Sequence, residues 1–294
     1  MKIGLLGGSF DPPHNAHIAV AQAVRKARGL DRVDLLVSGQ SPHAGGKSNH
    51  ADVQHRLAMA HLVDKEWIKK ELERGRGDVA VCPTKMIYPQ YNKELKPPAY
   101  DLEEAKRLLA EAGWKDSDGD GVLDRGGKRF EFELKVPSGR RFYEQVSAQI
   151  EDATRKVGIR MAARPLEWAT FSQDLDERRF DAVVLYESFS DPWIDSFDSY
   201  HSSQDVPRGG NLSGWHNAAV DALLEQMRVE FDNDKRDGMY REFCSIFQSE
   251  QPQTLLMHGR VGVIQNKRFE EVKVRPTGMQ IFELWVKPEN VLNR

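Results

Sequence analysis

Phe130-Glu131-Phe132-Glu133-Leu134-Lys135-Val136 places an apolar side chain at every second position, the period of a strand with one buried face. Residues 142–157 follow as a helix that Gly158 ends, and residues 159–165 form a second strand. Residues 169–178 then read as a helix and 180–186 as a third strand. Strands that alternate with helices in this way make an α/β protein.

The pattern extends outward on both sides. Asp101 stands before a helix over 102–112 that Gly113 closes, where it serves as N-cap, and Glu103 and Glu104 suit the positive helix end. Residues 116–127 are turn-rich. Residues 53–74 read as one helix with apolar faces from Leu57, Met59, Ala60, Val63, Trp67, Ile68 and Leu72, and 75–99 is irregular with four prolines. Downstream, 187–217 is a long loop and helices cover 218–230 and 234–251. Strands are expected at 253–257, 262–265, 272–275 and 281–286. At the other end, a strand over 2–6, a Gly- and Pro-punctuated loop, a helix over 18–27 and a strand over 33–37 make a β-loop-α-β opening of the kind found in parallel sheets. Residues 38–52 read as an exposed loop.

The 294 residues suffice for two domains. With 39% hydrophobic and 30% charged residues the chain buries a core and stays soluble, and a net charge of -3 gives no reason to expect nucleic-acid binding. No apolar run is long enough to span a membrane. Cys82 and Cys244 have no metal-ligand spacing; they read as core or surface thiols, with a single disulfide left open and the redox compartment with it. Met1 to Leu6 lacks the apolar core of a secretory signal, so the chain as written reads as cytoplasmic.

The segment Gly7-Gly8-Ser9-Phe10-Asp11-Pro12-Pro13-His14-Asn15-Ala16-His17 carries the sharpest chemistry. Glycines after a buried strand let backbone N–H groups approach phosphate oxygens, and a helix start adds its positive end. Histidines at i and i+3 share one side, where both can stabilise a transferring phosphoryl group. The alternative is a Gly-Gly turn with helix-capping histidines. The string resembles the nicotinate-nucleotide adenylyltransferase family, whose pattern Gly-Gly-x-Phe-x-Pro-x-His-x-Gly-His is matched at Gly7, Gly8, Phe10, Pro12, His14 and His17, with Ala16 in place of the glycine. The resemblance implies nucleotide binding by Gly7, Gly8, Ser9, Phe10, His14 and His17. It implies His14 and His17 as catalytic residues on the ATP phosphates, and AMP transfer to a pyridine mononucleotide with ATP and Mg²⁺. Ala44 follows Ser41-Pro42-His43 where the family has lysine, and the later Ser-x-Thr-x-x-Arg motif has no counterpart. The likeness covers about residues 1–60.

From about Val53 the chain resembles solute-binding protein family 5, the peptide and oligopeptide receptors of ABC importers. The likeness rests on Arg56 to Glu66, Tyr100 to Trp114, Leu166-Glu167-Trp168, Phe180-Asp181-Ala182, His201-Ser202-Ser203, Asn211 to Trp215 and Val220 to Leu224. It implies the C-terminal lobe of a type II periplasmic-binding-protein fold, so the chain divides into a nucleotidyltransferase-like head, 1–60, and a receptor lobe, 61–294. It implies a peptide or other small solute as ligand, an ABC permease as partner and an extracytoplasmic location, against the missing signal. Ligand contacts are expected from Glu187, Ser188, Asp191, Trp193, His201, Asn211 and Trp215; the alternative for the aromatic members is ordinary core. Arg56-Leu57-Ala58-Met59 fits both families, so the seam falls inside a shared helical register.

Asp116, Asp118, Asp120, the Val122 carbonyl and Asp124 have the spacing of the front of a Ca²⁺ loop, although Gly127 replaces the usual bidentate Glu. Weak Ca²⁺ binding and a solvated hairpin turn are the two readings. For the whole chain, solute binding ranks first, adenylyl transfer second, and a fusion without either activity third.

Overall fold

The computed structural model describes residues 3–8, 32–37, 53–186, 195–259, 265–275, 278–279 and 284–291. The chain divides into two compact units, Met1–Asn49 and His50–Arg294. In the first, β1 (Ile3–Gly8) and β2 (Arg32–Val37) pair in parallel, with Ile3 opposite Arg32 and Gly8 opposite Val37. Gly7 and Gly8, expected in a loop, continue the strand because both stay within this ladder. The helix expected over 18–27 lies outside the described residues.

The second unit opens with α1 (Val53–His61). The single helix expected over 53–74 is interrupted. After His61 the chain turns, then resumes as a short helix, Lys65–Trp67, and a π-helical segment, Ile68–Leu72. Asp64 restarts it: its Oδ1 accepts the Trp67 N–H at 2.8 Å. Two backbone groups of the break are met by one side chain, as Gln149 Nε2 donates to the Leu62 carbonyl (3.2 Å) and Gln149 Oε1 accepts from the Asp64 N–H (3.2 Å). The short strand β3 (Asp78–Val79) follows, then α2 (Leu102–Glu111). Asp101 caps α2, accepting from the Glu103 and Glu104 N–H groups at 3.0 Å each.

A hairpin of β4 (Asp124–Arg125) and β5 (Lys128–Arg129) leads into β6 (Glu131–Pro137), α3 (Arg141–Lys156), β7 (Arg160–Leu166), α4 (Trp168–Asp176) and β8 (Ala182–Val183). The sheet order is β7-β6-β8, all parallel. β6 is central, so the chain moves to one side through α3 and crosses back through α4. Right-handed crossovers then put the two helices on opposite faces. The side chains agree: Leu134 and Val136 pack with Tyr143, Val146 and Ile150 of α3, whereas Lys135 reaches Asp174 of α4.

The remaining helices are α5 (Phe197–Tyr200), α6 (Ala218–Val229) and α7 (Asn233–Glu250). Strand β9 (Met257–His258) pairs with β3, with Asp78 opposite His258. Of the closing strands, β10 (Phe269–Glu270) pairs with β13 (Trp285–Val286), and β11 (Val274–Arg275) with β12 (Gly278–Met279). Cys82 and Cys244, read above as thiols with a disulfide left open, are bonded to each other in the core.

Candidate ligand-binding site

The strand order decides where a ligand can reach. In an open parallel sheet, a cleft forms at the carboxyl ends of adjacent strands whose connections leave in opposite directions. Here that point lies beside β6. Ser138 and Gly139 leave β6, and the Ser138 N–H donates to the Leu166 carbonyl at the end of β7 (2.7 Å). Gly139 turns the chain at φ +80°. Arg140, the N-cap of α3, makes no side-chain hydrogen bond to the helix; the Tyr143 N–H donates to its carbonyl (3.0 Å), and Arg140 and Arg141 are exposed.

Two large aromatics stand open at the same strand ends. Trp168 follows β7 and is 62% exposed, although Phe171 beneath it is fully buried and the rings lie 5.9 Å apart. Tyr186 follows β8 and is 65% exposed, while its backbone is hydrogen-bonded to the buried Tyr143. An exposed tryptophan and tyrosine at a strand edge offer stacking area that the fold does not use. Neither was expected as a ligand contact from the sequence; the fold leaves Trp168 outside while Phe171, on the same helix, is buried.

Glu187, Ser188, Asp191 and Trp193 lie outside the described residues, as do Ser9, Phe10, His14 and His17. His201, Asn211 and Trp215 are buried, and their polar groups are hydrogen-bonded within the chain except His201 Nε2, which lies 3.4 Å from Glu225 Oε1. Asn211 Nδ2 donates to the carbonyls of His201 (3.2 Å) and Trp215 (2.8 Å), and its Oδ1 accepts from Ser213 Oγ (3.0 Å). Trp215 Nε1 donates to Glu250 Oε2 at 2.7 Å. His201 Nδ1 accepts the Ser203 N–H at 3.1 Å, and its ring stacks on Phe197 with centroids 4.1 Å apart. That geometry is a loop scaffold, and it fits the core alternative for these side chains.

The Asp-rich loop brings Asp116, Asp118 and Asp120 within 4.8 Å of one another. Their oxygens build the turn: Asp116 accepts from the Gly119 (2.8 Å) and Gly121 (2.9 Å) N–H groups, and Asp120 Oδ1 from the Val122 N–H (2.9 Å). The Val122 N–H and then Arg129, paired with Asp120 Oδ2, hold the Asp120 carboxyl below its usual range. Asp124 Oδ2 accepts from the Ser117 N–H at 2.9 Å. This is Asx-turn chemistry, and a Ca²⁺ ion would compete with Arg129 for Asp120.

Among the described residues no helix is long and apolar enough to cross a membrane. The family model "Bacterial extracellular solute-binding proteins, family 5 Middle" matches residues 43–206, more than half of the chain. The oligopeptide-binding protein AppA of Bacillus subtilis (strain 168) is 31% identical over 229 residues, which is 76% of this chain and 42% of that protein. The solved structure of AppA with a nonapeptide superposes with a TM-score of 0.67 at 32% identity, covering 71% of this chain and 42% of the other. The lobe thus has the type II periplasmic-binding-protein fold. A different likeness covers 30% of the chain: a probable nicotinate-nucleotide adenylyltransferase of Streptococcus pyogenes serotype M18 (strain MGAS8232) is 48% identical over 90 residues, 42% of its length. The chain therefore joins two pieces of different ancestry, and it spans less than half the length of either relative.

Proposed function

Because the chain belongs to the family 5 bacterial extracellular solute-binding proteins, we propose that its larger unit binds a peptide or related small solute for an ABC importer, through one lobe of the family's cleft. The observation that carries this is the pair of exposed aromatics, Trp168 and Tyr186, at the carboxyl ends of β7 and β8. Beside them, the uncapped start of α3 with Arg140 and Arg141 suits a ligand carboxylate. Glu187, Ser188, Asp191 and Trp193 follow Tyr186 in sequence and complete the proposed contact set. The Cys82–Cys244 disulfide favours an oxidising, extracytoplasmic compartment. Titration with pools of short peptides, read by tryptophan fluorescence, tests the reading. A saturable change that Trp168→Ala abolishes is expected; no response to any pool counts against it.

A second reading belongs to the head. Its parallel β1–β2 pair and its likeness to an adenylyltransferase favour adenylyl transfer from ATP, with Mg²⁺, to nicotinate mononucleotide, His14 and His17 holding the phosphates. Pyrophosphate release that His17→Ala abolishes is the result it requires.

A further inference from the structure

Among the described residues, the core of the larger unit falls into separate clusters. One cluster joins Val81, Cys82 and Tyr91 to Tyr200, Trp215 and the buried faces of α6 and α7. The others gather α1, α2, α3 and the strands β6 and β7. No side chain of β6, β7 or β8 belongs to the first cluster. We propose that the Cys82–Cys244 disulfide is a redox-released clamp: it holds the α6–α7 layer to the segment that follows β3, and its reduction lets that layer open while the sheet stays folded.

The two half-cystines are fully buried, lie 162 residues apart in sequence and have Cα atoms 5.4 Å apart. Cys82 is seated firmly on its own side. Ala80 N–H donates to the Leu256 carbonyl (3.2 Å) and His258 Nε2 to the Cys82 carbonyl (3.0 Å). Gly77, at φ +87°, lies so close to β9 that a Cβ there would meet the His258 carbonyl at 2.8 Å. Cys244 sits well inside α7, whose hydrogen bonds to the preceding irregular segment come from single side chains. Arg241 Nη1 donates to the Pro89 carbonyl (3.0 Å), Gln248 Nε2 to the Lys96 carbonyl (2.6 Å) and Asn92 Nδ2 to Ser245 Oγ (3.3 Å). Arg56 Nε adds a bond from α1 to the Glu250 carbonyl (2.8 Å). Such bonds stabilise the closed layer but leave the opened one unconstrained. The cross-link removes every opened conformation in which residues 82 and 244 separate.

Reduction by an external dithiol balances as follows. Its thiolate attacks one sulfur, forming a mixed disulfide and releasing the other sulfur as a thiolate. Its second thiol then displaces the protein, which keeps two thiols while the reductant leaves as a cyclic disulfide. Both sulfurs are buried, so attack follows a local fluctuation that exposes one sulfur while the cross-link is intact, and the layer opens after reduction.

Native-state hydrogen exchange on the full chain, oxidised and dithiothreitol-reduced, tests the clamp. On reduction, amides of α6 and α7 exchange about a hundredfold faster, while those of β6 and β7 keep their rates. Unchanged rates in α6 and α7, or a rise shared equally by the sheet, overturn the proposal. The Cys82→Ala/Cys244→Ala variant provides the second measurement. It must reproduce the reduced pattern without reductant, and a pattern like that of the oxidised protein rejects the clamp.

Discussion

Asp174, in α4 against the sheet, and Asp237, in α7 of the helical layer, are 9% and 6% exposed. Equal burial leaves them in opposite states. Lys135 Nζ donates to Asp174 Oδ2 at 2.7 Å and Arg179 Nε to Oδ1 at 3.0 Å. Those bonds, Lys135 first, hold the Asp174 carboxyl below its usual range against the effect of burial. Asp237 Oδ1 is buried without a hydrogen-bond partner. Desolvation pushes its carboxyl up, and Arg241 opposes this only in part. The sheet layer is thus closed by complementary charge as well as by packing. The helical layer buries Asp237 Oδ1 without a hydrogen-bond partner and is held by aromatic packing, single side-chain hydrogen bonds and one covalent bond.

The most severe way to break the comparison is at Phe243. It is fully buried in α7 and meets Tyr240 (5.4 Å), Tyr200 (5.6 Å), Phe247 (5.9 Å) and Trp215 (6.4 Å), centroid to centroid. Phe243→Ala removes the shared member of that cluster and leaves a cavity, at a cost of about 3–5 kcal/mol. Urea denaturation of the oxidised protein measures it. A loss below about 1 kcal/mol would show that aromatic packing is not what holds the layer.

Asp174→Asn probes the other side. Losing charge-assisted bonds to Lys135 and Arg179 costs about 2 kcal/mol at neutral pH. The folded carboxyl titrates below the unfolded value of about 3.9. Its stabilisation is therefore fully present above that value and is lost as pH falls through the lower folded one. The gap between wild type and variant should close in acid. A gap that persists unchanged at pH about 2 would assign the loss to packing instead of charge.

The two layers were not equally legible in the sequence. The sheet announces itself locally: β6 alternates, Gly158 ends the helix run, and Asp101 caps α2 through bonds that span three residues. The interruption after His61 was hidden because its satisfaction comes from Gln149, far along the chain. The binding face was hidden for a related reason. Nothing local in the sequence marks Trp168 as a contact; the order β7-β6-β8 shows that the strand before it ends at a cleft. His201, Asn211 and Trp215, expected as contacts from the family resemblance, are buried. Their partners, Ser203, Ser213 and Glu250, appear only once the loop is folded. The pairing of Cys82 with Cys244 depends likewise on tertiary structure.

The smallest effect is the most discriminating, because its sign is opposite. Asparagine at position 237 has the shape of the neutral acid and carries no charge into the buried site. The folded Asp237 carboxyl titrates above its unfolded value. Its protonated form therefore stabilises the fold fully below the unfolded pKa of about 3.9, and that stabilisation is lost as pH rises through the folded value. Burial penalises the ionised form of Asp237, and Asp237→Asn removes that penalty for a gain of about 1 kcal/mol at neutral pH. In acid the wild-type side chain is itself neutral and the gain disappears. Urea midpoints at pH 7 and pH about 3 measure both. The two variants thus diverge at neutral pH, with Asp174→Asn below wild type and Asp237→Asn above it, and both approach wild type in acid. If Asp237→Asn is instead destabilising at neutral pH, its carboxylate has a partner that charge alone supplies, and the helical layer is closed in the same way as the sheet.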